Sequence, residues 1–253
     1  MRYLGTGSEM WCAGVLLARF MEARHSDECA RGARVLDVGA GLGAVGATLA
    51  ALGAEAVLTD GEPACVEALS HSLLENKLAD KAIARHLDWN LAWPGKNLSN
   101  ATSEASVEQR NAHENVNREL WRPFDFVVAA EVLYDGSQVL DDFWSGLVST
   151  LANACDQNTR VYLAYVKHTS VTQVFFEQAE NFFDIHMEEL RPELLDRWPD
   201  CVELPVFEQG RVLNSDHRGG QILIYRLSLK SVSSECKQAT GQVRITSFYD
   251  IES

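Results

Sequence analysis

Asp37 closes an aliphatic run, Val35-Leu36-Asp37-Val38, and a set of glycines follows it at once: Gly39, Gly41, Gly43 and Gly46, separated by small residues. Glycines at that density let a bulky polar ligand approach the backbone, because no Cβ stands in its way. The Ala/Leu-rich stretch behind them suits a helix, whose first turn offers N–H groups to an electronegative ligand atom. Strand, glycine turn and helix in that order read as a nucleotide-type cofactor site. A second acid, Asp60, follows the next apolar run, Ala54 to Thr59, where a carboxylate can accept from the hydroxyls of a ribose.

Two cofactors compete for this turn. Gly41-Leu42-Gly43-Ala44-Val45-Gly46 matches the GxGxxG pattern of dinucleotide enzymes, and Asp60 lies about twenty residues on, as that pattern requires. An acid after the second strand serves any ribose diol, however, so the interval does not discriminate. Asp37 does. It makes the frame DxGxGxG, and a carboxylate there can hydrogen-bond an ammonium or the adjoining backbone but sits awkwardly beside a pyrophosphate. S-adenosylmethionine has no phosphate and carries an ammonium and a carboxylate at its methionine end. It is the favoured ligand, with an NAD-type dinucleotide oxidoreductase as the alternative.

The chain has 253 residues, enough to bury a full-sized α/β core. Its formal charge of −14 repels phosphate backbones and disfavours nucleic acid as a partner. A protein substrate with a basic surface fits that charge better, although acidity also serves solubility alone. Six cysteines are scattered without a CxxC pair, and seven histidines show no HxxxH or HExxH spacing, so no metal site is expected. No apolar run approaches the ~18 residues of a membrane span, and Met1 to Gly14 lacks the pattern of a secretory leader. A reduced compartment is expected, the cytoplasm first and the nucleus second.

The elements that must carry the site alternate. A helix is expected over Met10 to Glu22, then the central strand and its turn. The strand ending at Asp60 is followed by a helix with Pro63 near its start, where a missing N–H costs nothing. A third strand, Ala82 to Leu87, leads into Asp88-Trp89. Residues 96–118 are poor in large apolar side chains and read as a surface insertion. The run Phe124 to Ala130 reads as a buried strand and Val139 to Ala154 as a helix. Arg160 to Val166 is the next strand and Val171 to Phe183 a helix. Two late strands, Phe183 to Leu190 and Gln221 to Leu229, flank a long loop with several prolines, and the residues from 231 form a polar tail. Alternating strands and helices imply a mainly parallel sheet with helices on both faces. The whole of residues 1–230 is expected to form one domain.

Five stretches occur in one order: Thr6-Gly7-Ser8-Glu9-Met10-Trp11, VLDVGAGLG, Leu58-Thr59-Asp60, Leu87-Asp88-Trp89 and Ala130-Glu131-Val132-Leu133-Tyr134. Together they resemble methyltransferase family 16, seven-β-strand enzymes that include many protein lysine methyltransferases. The resemblance spans roughly Leu4 to Leu229. It implies a Rossmann-like seven-stranded sheet ordered 3-2-1-4-5-7-6, with the last strand antiparallel, and S-adenosylmethionine as cofactor. It also implies that Trp11 lies by the cofactor, that Gly39, Ala40 and Gly41 form the turn, and that Asp60 holds the ribose. Asp88 and Trp89 would flank the adenine, and Ala130 would be the small residue before the motif after strand 4. Glu131 and Tyr134 occupy the family's DxxY positions, with Glu in place of the usual Asp, and are the candidate catalytic residues. The expected activity is methyl transfer to a lysine side chain of a protein; a small-molecule or RNA methyltransferase is the alternative.

Overall fold

The computed structural model of the chain describes residues 9–91, 123–133, 141–167, 172–196, 198–199, 204–209, 211–213 and 220–231. The expected insertion at 96–118 and the polar tail from 232 onward lie outside these residues. The elements in chain order are α1 (Cys12–Ala30), β1 (Arg34–Val38), α2 (Ala44–Ala51), β2 (Glu55–Asp60), α3 (Pro63–Glu75), β3 (Ala82–His86) and β4 (Phe126–Ala130). They continue as α4 (Asp141–Ala154), β5 (Arg160–Lys167), α5 (Thr172–Ala179), β6 (Phe183–Met187), β7 (Val206–Glu208), β8 (Arg211–Leu213) and β9 (Gln221–Leu229). Pro192–Leu195 adds one 3-10 turn. No described helix is long and apolar enough to cross a membrane.

The strands form one sheet ordered β3-β2-β1-β4-β5-β9-β8-β7, with β6 also paired to β9. The first five are mutually parallel, and β9 runs antiparallel to β5 and to β6. Taken over its long strands this is the expected 3-2-1-4-5-7-6 path, with β9 as its seventh strand. Among the described residues the sheet has nine strands rather than seven, because the proline-bearing loop before β9 contains the β7–β8 hairpin. β6 and β8 share one edge of β9: Phe183 to Met187 pair with Leu229 to Tyr225, and Val212 and Leu213 pair with Ile222 and Gln221. Three-residue strands give almost no alternation to read, which is why the hairpin escaped the sequence.

Alternation along each strand feeds two cores. Val35, Leu58, Phe126, Val128 and Ala164 face α1, α2 and α3, while Leu36, Val38, Val57, Val127 and Leu163 face α4 and α5. β1 is buried on both faces between β2 and β4, so its apolar run is continuous except for Asp37. Parallel pairing brings the carboxyl ends of β1, β2, β4 and β5 to one rim, where ligands bind in open α/β sheets.

Helix α1 runs to Ala30, eight residues beyond the expected end at Glu22. The polar stretch Arg24-His25-Ser26-Asp27-Glu28 resembles a loop in sequence, but its one buried member is satisfied. His25 Nδ1 pairs with Glu28 Oε1 at 2.8 Å, and Nε2 pairs with the Tyr162 hydroxyl at 2.9 Å. Arg160 joins through Glu28 and lies over the Phe126 ring, 4.3 Å from its centroid. The network sits at the amino end of β5, away from the glycine turn. Gly32, with φ of 83°, then ends the helix, and Ala33 N–H donates to Glu28 O at 3.1 Å.

Candidate functional site

The turn after β1 folds as its glycines require. Gly39, Gly41 and Gly43 have φ of 69°, 53° and 80°, a region that costs a side-chain-bearing residue energy. Ala40 N–H donates to Thr59 O at 2.8 Å and Gly43 N–H to Ala40 O at 2.7 Å, which ties the turn to β2 and closes it on itself. Asp60, at the end of β2, lies against the same turn. Its Oδ2 accepts from Gly41 N–H at 3.0 Å and its Oδ1 from Glu62 N–H at 2.9 Å. Leu87 N–H donates to Asp60 O at 3.0 Å and so brings the segment after β3 to the same rim.

Three further segments converge there. An added Cβ on Gly39 would lie 2.8 Å from Val132 Cγ1 and 3.1 Å from the Trp89 ring. The post-β4 segment and the post-β3 aromatic therefore both rest on the glycine turn. An added Cβ on Gly14 would lie 3.8 Å from Ala130 Cβ, so the first turn of α1 packs on the end of β4. Trp11 occupies the N-cap position of that helix and is 41% exposed. The turn, Asp60, Trp89, Ala130 and Glu131 thus share one rim, with Trp11 at the helix start beside it.

Glu131, just after β4, has unusual backbone geometry. Its φ is 54°, in the left-handed region that glycine favours and glutamate rarely adopts. Its N–H donates to Ala164 O at 2.9 Å, and Val166 N–H donates to its Oε2 at 3.5 Å. Both contacts lie on β5, so the residue is held by the neighbouring strand on two sides. Tyr134, its expected partner, lies outside the described residues.

Two acids have local structural tasks. Asp88 Oδ1 accepts from Asn90 N–H at 2.9 Å and Asn90 Nδ2 at 3.1 Å, closing the loop that presents Trp89. Asp37 is 2% exposed, and its Oδ2 accepts from Gly46 N–H at 2.8 Å. Through that bond the carboxyl group ties β1 to the first turn of α2. Burial pushes Asp37 up to about 7; the Gly46 N–H opposes that rise and the charge of Asp60 adds to it. Val132 and Gly146, which also shape this site, were not singled out from sequence. An aliphatic residue and a helical glycine carry no chemical signal, so only their contacts could reveal them.

Residues 2–105 match the model of a family described as lysine methyltransferase. The chain is 27% identical over 184 residues to the mouse protein N-lysine methyltransferase METTL21A, a match that covers 72% of this chain and 67% of the mouse protein. It is 29% identical over 161 residues to the zebrafish METTL21A, covering 64% of this chain and 61% of the zebrafish one. The fold is similar to that of a TehB-like SAM-dependent methyltransferase from Corynebacterium glutamicum. That likeness has a TM-score of 0.50 at 18% identity and covers 85% of this chain and 88% of the other. The protein is an S-adenosylmethionine-dependent methyltransferase.

The site of this methyltransferase fits its cofactor on structural grounds. Gly39 carries no side chain where Val132 and the Trp89 ring come directly against the turn. An acid at the end of β2, an aromatic after β3 and a turn without side chains meet at one rim, a donor set suited to a nucleoside with an amino-acid tail.

The Asp37 carboxyl makes one prediction about this methyltransferase. Its folded-state value lies above the ordinary 3.8, so the native state holds a proton that the unfolded chain releases. The stabilisation is complete below about pH 4 and is lost as pH rises through about 7. Asp37→Asn keeps an oxygen for the Gly46 N–H and removes the charge. Above pH 7 it is expected to stabilise the fold by on the order of 2 kcal/mol, a difference that vanishes near pH 4. Denaturant melts at pH 4, 6 and 8 check this; an equal difference at all three would show that the carboxyl does not titrate there. Cofactor titration of the same variant reports whether Asp37 also reaches the ligand ammonium. Unchanged affinity would confine it to the turn.

Proposed function

We propose that this methyltransferase acts on a lysine side chain of a protein substrate that presents a basic surface. The observation that carries the reading is the contact between Val132 and the Gly39 turn, which sets the Glu131 segment directly on the cofactor site. The description of the matched family and the names of the METTL21A relatives support a protein lysine as acceptor, and the charge of −14 supports a basic surface around it.

In this reading the Asp60 carboxylate holds the ribose hydroxyls, and Asp88 with Trp89 flanks the adenine. The Gly39-Ala40-Gly41 backbone meets the methionine end, with Trp11 and Ala130 closing the space towards α1 and β4. The cofactor supplies an electrophilic methyl group on a sulfonium. The chain's task is then alignment for an in-line displacement by a neutral amine. Holding a lysine unprotonated at pH 7 costs about 4.6 kcal/mol, from an ordinary pKa near 10.4. A closed rim lowers that cost by removing water from the ammonium form. Glu131 accepts hydrogen bonds from the amine and attracts the charged lysine on approach, and Tyr134 orients it. A carboxylate beside an amine favours the protonated form, so Glu131 positions the amine rather than serving as its base.

The test is transfer of labelled methyl from S-adenosylmethionine into a cell lysate, sorted into protein, RNA and small molecules, with the protein fraction hydrolysed to amino acids. Label recovered as methyl-lysine supports the reading. Label in RNA or in small molecules, or on another amino acid, overturns it.

A further inference from the structure

Gly146 lies inside α4, where a glycine weakens a helix relative to alanine. An added Cβ there would lie 2.6 Å from the Trp89 carbonyl oxygen, 3.0 Å from its carbonyl carbon and 3.5 Å from Asn90 N. The first distance is shorter than a Cβ tolerates and the second is tight, and both atoms are backbone, so no rotamer change relieves them. The helix surface is therefore in direct contact with the peptide plane that carries Trp89. On the other side of that residue, its indole lies where a Gly39 Cβ would be, at 3.1 and 3.4 Å. Gly146, Trp89 and Gly39 thus form one stack from α4 to the glycine turn. α4 is also the crossover from β4 to β5, the two strands that hold Glu131.

We propose that Gly146 is a positioning residue for cofactor binding: its missing side chain fixes the depth at which the Trp89 loop docks, and with it the gap between the indole and the glycine turn. The inference rests on the reading that Asp88 and Trp89 flank the adenine. Moving α4 or the loop apart by the width of a methyl group shifts the indole against the Gly39 turn without altering Asp60, Glu131 or the turn itself. The consequence falls on cofactor affinity and not on the transfer step.

The experiment compares Gly146→Ala and Trp89→Ala with the parent in the full chain. It measures cofactor affinity, turnover at saturating cofactor, melting temperature and the change in tryptophan fluorescence on binding. Gly146→Ala is expected to weaken cofactor binding by about tenfold, with turnover at saturation near the parent value. The melting temperature should not rise, although alanine at an unobstructed helix position would raise it. The fluorescence change on binding should also shrink, because the indole no longer sits at the same depth. A stabilised variant with parental affinity would overturn the proposal. Trp89→Ala separates the two readings. If it leaves affinity unchanged, the adenine-side assignment fails; if it weakens binding while Gly146→Ala does not, only the role of Gly146 fails. Should Gly146→Ala not fold, hydrogen exchange on the parent decides. Protection gained together by residues 87–91 and 144–148 on binding S-adenosylhomocysteine supports the coupling, and protection of the loop alone refutes it.

Discussion

Glu131→Gln is expected to lower methyl transfer by ~100-fold while cofactor affinity stays within a few-fold, the pattern of a group that acts on the reacting amine. The substitution keeps the size of the side chain and removes its charge. The backbone hold on β5, Glu131 N–H to Ala164 O at 2.9 Å, does not depend on the side chain, so the segment should stay where it is. The Val166 N–H contact at 3.5 Å is long, and an amide oxygen can keep it. Val132, the next residue, is 3% exposed and remains against the Gly39 turn. With position preserved, what is lost is the attraction and orientation of a lysine amine. That loss lowers turnover and turnover over KM together. The unusual φ of 54° at Glu131 gives the prediction a second edge. Strain at such a position is held in place by its surroundings and clusters where function needs a fixed side chain. Parallel measurements of cofactor affinity and methyl incorporation into a basic protein fraction test this. Undiminished incorporation would place the amine site elsewhere on the rim.

Much of this site was legible in the sequence because its residues carry chemical signals at characteristic spacings. The DxGxGxG frame located the turn, and the acid singled out after β2 lies against that turn. The LDW stretch and the described start of the ExxY stretch located segments that converge on the turn, through Trp89 and Val132. What escaped has physical reasons. Asp37 reads equally well as a ligand for an ammonium or as a tie to the backbone, and only the 2.8 Å bond from Gly46 N–H shows the second. The end of α1 was placed too early because His25 and Glu28 look solvent-bound until Tyr162 and Arg160, more than 130 residues away, supply their partners. The β7–β8 hairpin was missed because three-residue strands leave no periodicity. Gly146 is silent in sequence for another reason: a close approach between a helix and a loop exists only once both are folded.

The second large effect is expected at Gly39. Gly39→Ala forces a side-chain-bearing residue to φ of 69° and drives a methyl group to within 2.8 Å of Val132 Cγ1 and 3.1 Å of the Trp89 ring. The backbone term costs about 1–2 kcal/mol, and overpacking at a buried contact adds about 1–3 kcal/mol. Those costs can be met in only two ways. If the turn yields, the Ala40–Thr59 and Gly41–Asp60 hydrogen bonds loosen and the Asp60 carboxylate loses its registration on the turn. If the neighbours yield, Val132 and Trp89 move, and the segments bearing Glu131 and the indole move with them. Either route spoils the cofactor space, so affinity should fall by about 100-fold or more, the equivalent of roughly 2.7 kcal/mol. The fold should survive, because the change sits at the rim and meets the core only at Val132 and the Trp89 ring. Calorimetric titration with S-adenosylhomocysteine, paired with a thermal melt, distinguishes these costs. A folded variant with parental affinity would mean that cofactor binding does not depend on how Val132 and Trp89 pack on the Gly39 turn. It would also detach the Glu131 segment from the cofactor site, since Val132 is the contact that joins them.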